Sequence, residues 1–212
     1  MKRIILLFVL VSFGINAMAQ DMEKIKLNTP DMKRGLSTME ALSKRQSTRE
    51  YADKSLSLQD LSDLIWAAAG INREDQGKRT SPTATNAQEI DLYVCFPEGV
   101  YRYMPKEHSL EPVAKGDFRS IAASQQEFAA KAPVILIIVA DISKFRGDNK
   151  EDNLLYGAMD AGIVSQNISL FCAANNLATV PRGWMMKEEL HKALKLTETQ
   201  YLMLNHPVGY MK

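Results

Sequence analysis

The polar and apolar positions of this 212-residue chain fall into blocks of different period. Lys2 and Arg3 precede an apolar stretch, Ile4 to Phe13, and the small-x-small group Ala17-Met18-Ala19 follows it. That order predicts a secretory leader, residues 1–19, cleaved after Ala19, because the apolar stretch is short for a membrane span. An uncleaved anchor is the alternative. No cysteine follows the cleavage point and no arginine pair precedes the stretch, so the expectation is export of an unfolded chain, without a lipid anchor, to the periplasm. Residues 20–34 are polar and read as an N-terminal arm. Residues 35–212 suit one domain with a sizeable core.

Within that domain, Ser37 followed by Glu40 forms a capping box and predicts a short helix from Ser37 that runs out near Arg45. Its apolar stripe is Met39, Ala41 and Leu42. Ser57 caps a second helix with Leu58, Leu61, Leu64, Ile65 and Ala68 on one face and Gly70 as its stop. Residues 73–87 have the composition of a loop. Leu92 to Phe96 and Val100 to Tyr103 flank Pro97-Glu98-Gly99 as a hairpin. Residues 118–131 look helical. Val134 to Ala140 is continuously apolar, the mark of a strand buried on both faces. Lys187 to Leu194 predicts a short helix, and Gln200 to His206 a final strand.

The longest predicted helix, about Asn153 to Asn176, is apolar nearly all round and so belongs in a buried position. Gly157, Ala161, Ser165, Ser169 and Ala173 recur along it at four-residue spacing. Such a stripe lets a neighbouring backbone approach closely. It fits tight packing within one subunit or a contact between two subunits. Helices and strands are mixed, with a hairpin and no βαβ repeat, which predicts an α+β domain rather than a doubly wound one.

The net charge of +1 argues for neither nucleic acid nor an anionic membrane surface as a partner. There are two cysteines. Cys95 sits in a strand-like run and Cys172 in the apolar helix, which favours two buried free thiols over the disulfide an exported protein could form. The three histidines, His108, His191 and His206, lack metal-ligand spacing, so no metal site is expected. No nucleophile elbow, Walker loop or dinucleotide fingerprint is present. Glu188-Glu189 fits a helix N-terminal turn better than a glycosidase couple. If the chain is an enzyme, a cofactor is expected to carry the reaction, which leaves the catalytic side chains unassigned.

Arg45-Gln46-Ser47-Thr48-Arg49 is the run best suited to hold that cofactor. On an extended chain, alternate side chains point the same way, so two guanidiniums and a hydroxyl can converge on one phosphate. The plainer reading is a solvated helix end. Beside this run stand Ser81-Pro82-Thr83-Ala84-Thr85-Asn86, the helix from Gly157 to Leu177, Val180-Pro181-Arg182-Gly183 and the closing Pro207-Val208-Gly209-Tyr210.

In order and spacing these segments resemble the FMN-dependent nitroreductases, in particular their short branch related to thiazole- and oxazole-forming dehydrogenases. The resemblance covers most of the chain after the leader. It implies a mostly antiparallel central sheet flanked by helices, and a domain-sharing homodimer with two FMN sites at the subunit interface. Arg45, Ser47 and Arg49 would hold the phosphate and ribityl chain. Pro82, Thr83, Ala84 and Asn86 would reach the flavin from the other subunit. Pro181, Arg182 and Gly183 would offer backbone groups to its reactive edge. It also favours the subunit-contact reading of the small-residue stripe. Family members commonly carry a further basic pair near the C-terminus, where this chain offers Lys212. Many have an acid at the position of Arg182, whose side chain could face the flavin or solvent. The function implied is ping-pong two-electron transfer on a small organic substrate. NADH or NADPH is one candidate reductant. A flavin-binding protein without nicotinamide-driven turnover, or a dehydrogenase of an extracytoplasmic substrate, is the alternative.

Overall fold

A computed structural model describes residues 22–212. The expected leader and its cleavage point lie outside the described residues. The chain begins at the edge of a sheet: β1 (Ile25–Lys26) pairs antiparallel with a later strand, so the arm is docked, not trailing. α1 (Thr38–Lys44) starts at Ser37, where both halves of the capping box form. α2 (Leu58–Ala69) is capped by Ser57, whose hydroxyl accepts from Asp60 N. It stops at Gly70, where a Cβ would lie 2.3 Å from Trp66 Cδ1. Residues 73–87 are more ordered than their composition suggests. β2 (Ile71–Arg73) and β3 (Lys78–Arg79) form a small ladder, and a 3-10 turn follows at Ala84–Asn86.

The hairpin is present as β4 (Ile90–Cys95) and β5 (Gly99–Met104), and β6 (Ser109–Lys115) extends it. The helix expected over residues 118–131 is two short ones, α3 (Arg119–Ala123) and α4 (Glu127–Ala130). Ser124, at φ 52°, takes a left-handed turn that ends the first and redirects the chain. β7 (Val134–Asp141), α5 (Lys150–Ala174), β8 (Leu177–Thr179), α6 (Lys187–Ala193) and β9 (Gln200–Tyr210) complete the fold.

Seven strands form one sheet in the order β1-β6-β5-β4-β7-β9-β8, and every pairing in it is antiparallel. β7 lies inside the sheet and buries alternate residues on opposite faces. Leu136, Ile138 and Ala140 meet Leu64 and Ile65 of α2 and Ala161, Val164 and Ile168 of α5. Ile135, Ile137 and Val139 meet Ala122 of α3 and Leu190 and Leu194 beside α6. The result is the expected α+β architecture, with a mostly antiparallel sheet between two helical layers. Cys95 belongs to one layer and Cys172 to the other, so the sheet keeps both thiols free and buried. Among the described residues no helix is long and apolar enough to cross a membrane.

The small-residue stripe corrects one expectation. Gly157, Ala161, Ser165 and Ser169 are buried within the chain, against its own sheet. A Cβ on Gly157 would stand 3.0 Å from the Cβ of Ala140 on β7. These four positions therefore let α5 settle on β7 and β9 and offer no surface to a second subunit, while the fifth, Ala173, is half-buried beside the α1 end of the chain. The opposite face of α5 carries the exposed apolar residues Leu155, Tyr156 and Met159.

Candidate functional site

α1 ends because Arg45 leaves helical geometry, at φ −59° and ψ 118°, while its N–H still bonds Ala41 O at 2.9 Å. The next residues run extended. Thr48 N–H donates to Thr179 O at 2.9 Å, so this segment is fastened to the end of β8. Thr179 is itself fixed from behind. Its hydroxyl lies 3.1 Å from His206 Nδ1, and Ser165 Oγ lies 2.7 Å from His206 Nε2. Burial pulls the His206 imidazole down to about 3, so it is neutral and acts as a polar tie between α5, β8 and β9.

On this fastened segment Arg45, Ser47 and Arg49 are exposed. None of the three makes a side-chain hydrogen bond or ion pair among the described residues; Arg49 only lies over the Phe128 ring, 5.8 Å from its centroid. A groove of about 570 Å³ runs past Lys44, Arg45 and Gln46, between the C-terminal end of α5 and Met211. A smaller groove of about 190 Å³ is lined by Arg49, Gln126, Phe128 and the turn from Val180 to Trp184. Lys212 is exposed beyond Met211.

Pro181 and Gly183 are exposed on that turn, and nothing stands within 4 Å of a Cβ on Gly183. The Gly183 N–H has no acceptor among the described residues, whereas Arg182 N–H and C=O both pair with Asn205. The Arg182 side chain does not reach solvent. It is buried, and its Nε–H donates to Gln126 Oε1 at 2.6 Å. Behind it, the Tyr51 hydroxyl is buried without a partner, and burial pushes its ionisation up despite Arg182 and Arg49 nearby.

The loop with Pro82, Thr83, Ala84 and Asn86 lies elsewhere. Ala84 N–H donates to Asp160 Oδ2 at 2.7 Å, and Gln88 N–H to Thr83 Oγ1 at 2.9 Å. Three of its non-glycine residues, Thr85, Asn86 and Gln88, hold positive φ of 53°, 55° and 51°. Its anchor, Asp160, and the groove residue Ala174 are separated along α5 by roughly 21 Å at 1.5 Å per residue. Within one chain the structure thus fastens the segment with Arg45, Ser47 and Arg49 near the C-terminal end of α5, brings Arg49 together with Pro181, Arg182 and Gly183 around one groove, and ties residues 82–86 to the middle of α5 through Asp160.

Gln126, Phe128 and Trp184 join the smaller groove, and Tyr51 lies near Arg182 and Arg49, without having been singled out in the sequence. Phe128 is there because of the Ser124 turn, which a helical pattern over residues 118–131 hides. The aromatic pair Phe128 and Trp184, the free N–H and the unpaired cations suit a flat aromatic ligand carrying a phosphate. Among the described residues no cluster of three or more His, Cys, Asp and Glu could hold a metal ion.

The described geometry has relatives. A model of the nitroreductase family matches residues 42–210. A protein of Methanocaldococcus jannaschii named as a nitroreductase is 33% identical over 198 residues, 89% of this chain and 93% of that one. A solved structure from Ralstonia eutropha, also named as a nitroreductase, superposes with a TM-score of 0.84 at 36% identity and covers 89% of this chain and 90% of its own. The E. coli microcin synthetase complex shares the fold, with a TM-score of 0.71 at 17% identity over 99% of this chain and 85% of that one. By family model, sequence and fold alike, this chain belongs to the nitroreductase family of oxidoreductases.

Proposed function

We propose that the protein is an FMN-dependent oxidoreductase that works as a homodimer by ping-pong transfer on a small organic substrate. One observation carries the reading: three unpaired donors at Arg45, Ser47 and Arg49 share one end of the molecule with the free N–H of Gly183 and the unpartnered hydroxyl of Tyr51. The buried Tyr51 hydroxyl is costly to leave unmet, and the exposed arginines and Gly183 N–H stand open to an anion and a ring edge. The chemistry that FMN supplies when bound is two-electron transfer between a donor and an acceptor.

The chain's own residues do the rest. Arg45 and Arg49 bind phosphate as forks, and Ser47 adds a hydroxyl between them. The Thr48–Thr179 bond holds the three in register. Gly183, lacking a side chain, lets a flat ring approach and offers it a backbone N–H. Lys212 can add a second-rank charge. The loop at Pro82, Thr83, Ala84 and Asn86 reaches the site from a second copy, since in its own chain it is tied to Asp160 and lines neither groove. That copy covers Leu155, Tyr156 and Met159 of α5, which are 55%, 46% and 54% exposed in the single chain.

The leader-like residues 1–19 favour a second reading of the reductant. An exported enzyme is separated from cytosolic nicotinamide nucleotides, so its electrons would come from an extracytoplasmic substrate, or the protein would bind flavin without nicotinamide-driven turnover. Purified protein distinguishes these. A flavin absorbance band that NADPH bleaches anaerobically, and that a nitroaromatic restores, supports nicotinamide-driven turnover; a band that NADPH leaves intact supports the second reading. Arg45→Ala with Arg49→Ala is expected to abolish flavin retention while the fold, read by circular dichroism, stays unchanged. Full flavin occupancy in that variant would remove the phosphate assignment.

A further inference from the structure

Arg182 is 6% exposed, and the structure uses all five of its N–H donors. Nε–H goes to Gln126 Oε1 at 2.6 Å. The two donors of Nη1 go to Ala122 O at 3.2 Å and Asn205 Oδ1 at 2.7 Å. Those of Nη2 go to Ala123 O at 2.6 Å and Trp184 O at 3.0 Å. Every acceptor is neutral. A buried guanidinium is ordinarily paired with a carboxylate, because the isolated charge is expensive to desolvate. Here the carbonyl dipoles satisfy its hydrogen bonds and leave its unit charge uncancelled.

The surroundings do not cancel it either. The adjacent groove is lined by a second cation, Arg49, and by no acid. The two guanidiniums lie over the same ring, each 5.8 Å from the Phe128 centroid. Tyr51, the ionisable group that would oppose the charge, is held in its neutral form by burial. Burial also pulls the Arg182 guanidinium below its ordinary value, the sign of a cation that gains little from its neighbours. Because arginine stays protonated throughout the accessible pH range, the site keeps its charge. A fixed positive charge in a water-poor wall favours whichever state of a neighbouring ligand is more negative.

We propose that Arg182 is a built-in, unneutralised cation whose field stabilises the reduced, anionic form of a flavin bound in the adjacent groove and so raises its midpoint potential. The proposal rests on the FMN reading above and assigns Arg182 a role separate from the phosphate grip of Arg45 and Arg49. It predicts that the charge, not the shape, of this residue sets the potential.

The test is a midpoint-potential measurement on purified FMN-loaded protein. Asn205→Asp places a carboxylate against Nη1 with almost no change in volume. It and Arg182→Met are each expected to bind FMN and to lose at least tenfold in preference for the reduced over the oxidised form, about 30 mV downward for a two-electron couple. Arg182→Lys, which keeps a cation, should stay near the wild type. Unchanged potentials in both charge-cancelling variants, or an equal fall in Arg182→Lys, would overturn the proposal. If neither charge-cancelling variant folds, the wild type decides. Its reduced flavin should stay ionised to lower pH than free reduced FMN, and titration at the free value would overturn the proposal. A wild-type protein that takes up no FMN would remove the FMN reading itself, an outcome distinct from flavin that binds and ignores Arg182.

Discussion

Glu89 and His206 are both sealed from solvent, and they answer pH in opposite senses. Glu89 lies under the residue 82–88 loop with neither carboxyl oxygen hydrogen-bonded. Burial, with Asp160 facing it, pushes its carboxyl up to about 8 against the opposing pull of its own backbone and Lys144. Its ordinary value is 4.5, so the folded state holds a proton that the unfolded chain has released, and stability falls as pH rises from about 4.5 to 8. His206 is the reverse. Its ordinary 6.5 is lowered to about 3, so the unfolded chain takes up a proton first and stability falls as pH drops from about 6.5 to 3. The two slopes oppose one another between about 4.5 and 6.5 and leave a plateau there. Denaturant midpoints across the pH range check this. Glu89→Gln should flatten the alkaline limb and leave the acid limb in place. The flattening is worth up to a few kcal/mol, since each tenfold change in proton affinity is about 1.4 kcal/mol. The residues of the site differ in how legible they were. Arg45, Ser47 and Arg49 announced themselves by alternation on an extended run, a purely local property. The enclosure of Arg182, the orphan hydroxyl of Tyr51 and the burial of Glu89 depend on partners far away in sequence.

α5 shows the same limit one level up. Its length and its small residues at four-residue spacing were visible in the chain. The direction in which they face was not, because a helix apolar all round has no polar face to orient it. Only the packing of Gly157 on Ala140, and of Ser165 on His206, settles that the stripe serves the chain's own sheet. Ala161→Leu should therefore lower the unfolding midpoint by overpacking the core, ~1–3 kcal/mol, while folded protein keeps its association state in sedimentation; dissociation without destabilisation would contradict this. Other elements were hidden by local breaks. Pro112 interrupts the pattern of β6 and is accommodated where the β5–β6 register shifts between Val100 and Tyr101. Ser124 divides what reads as one helix into α3 and α4.

At the scale of the molecule, two helices that pack together, α1 and α5, each leave apolar side chains on the surface. α5 presents Leu155, Tyr156 and Met159, and α1 presents Met39 at 75% and Leu42 at 47% exposure. α1 was expected to bury Met39 and Leu42, yet within the single chain only Ala41 is buried. If a second copy covers this surface, Met159→Glu should shift the protein toward a monomer in sedimentation and weaken flavin retention with it, because residues 82–86 come from that copy. Retained dimer would place the interface elsewhere. The domain class, the principal helices and the two-sided burial of β7 were legible, since each follows from periodicity and run length; which apolar faces the fold leaves uncovered was not, since that depends on how the elements pack. The separation of Cys95 and Cys172 by the full thickness of the sheet has a consequence for where such a molecule can operate. With no crosslink to form or lose, the native state asks nothing of an oxidase, an isomerase or a thiol buffer, and the same fold is available on either side of a membrane.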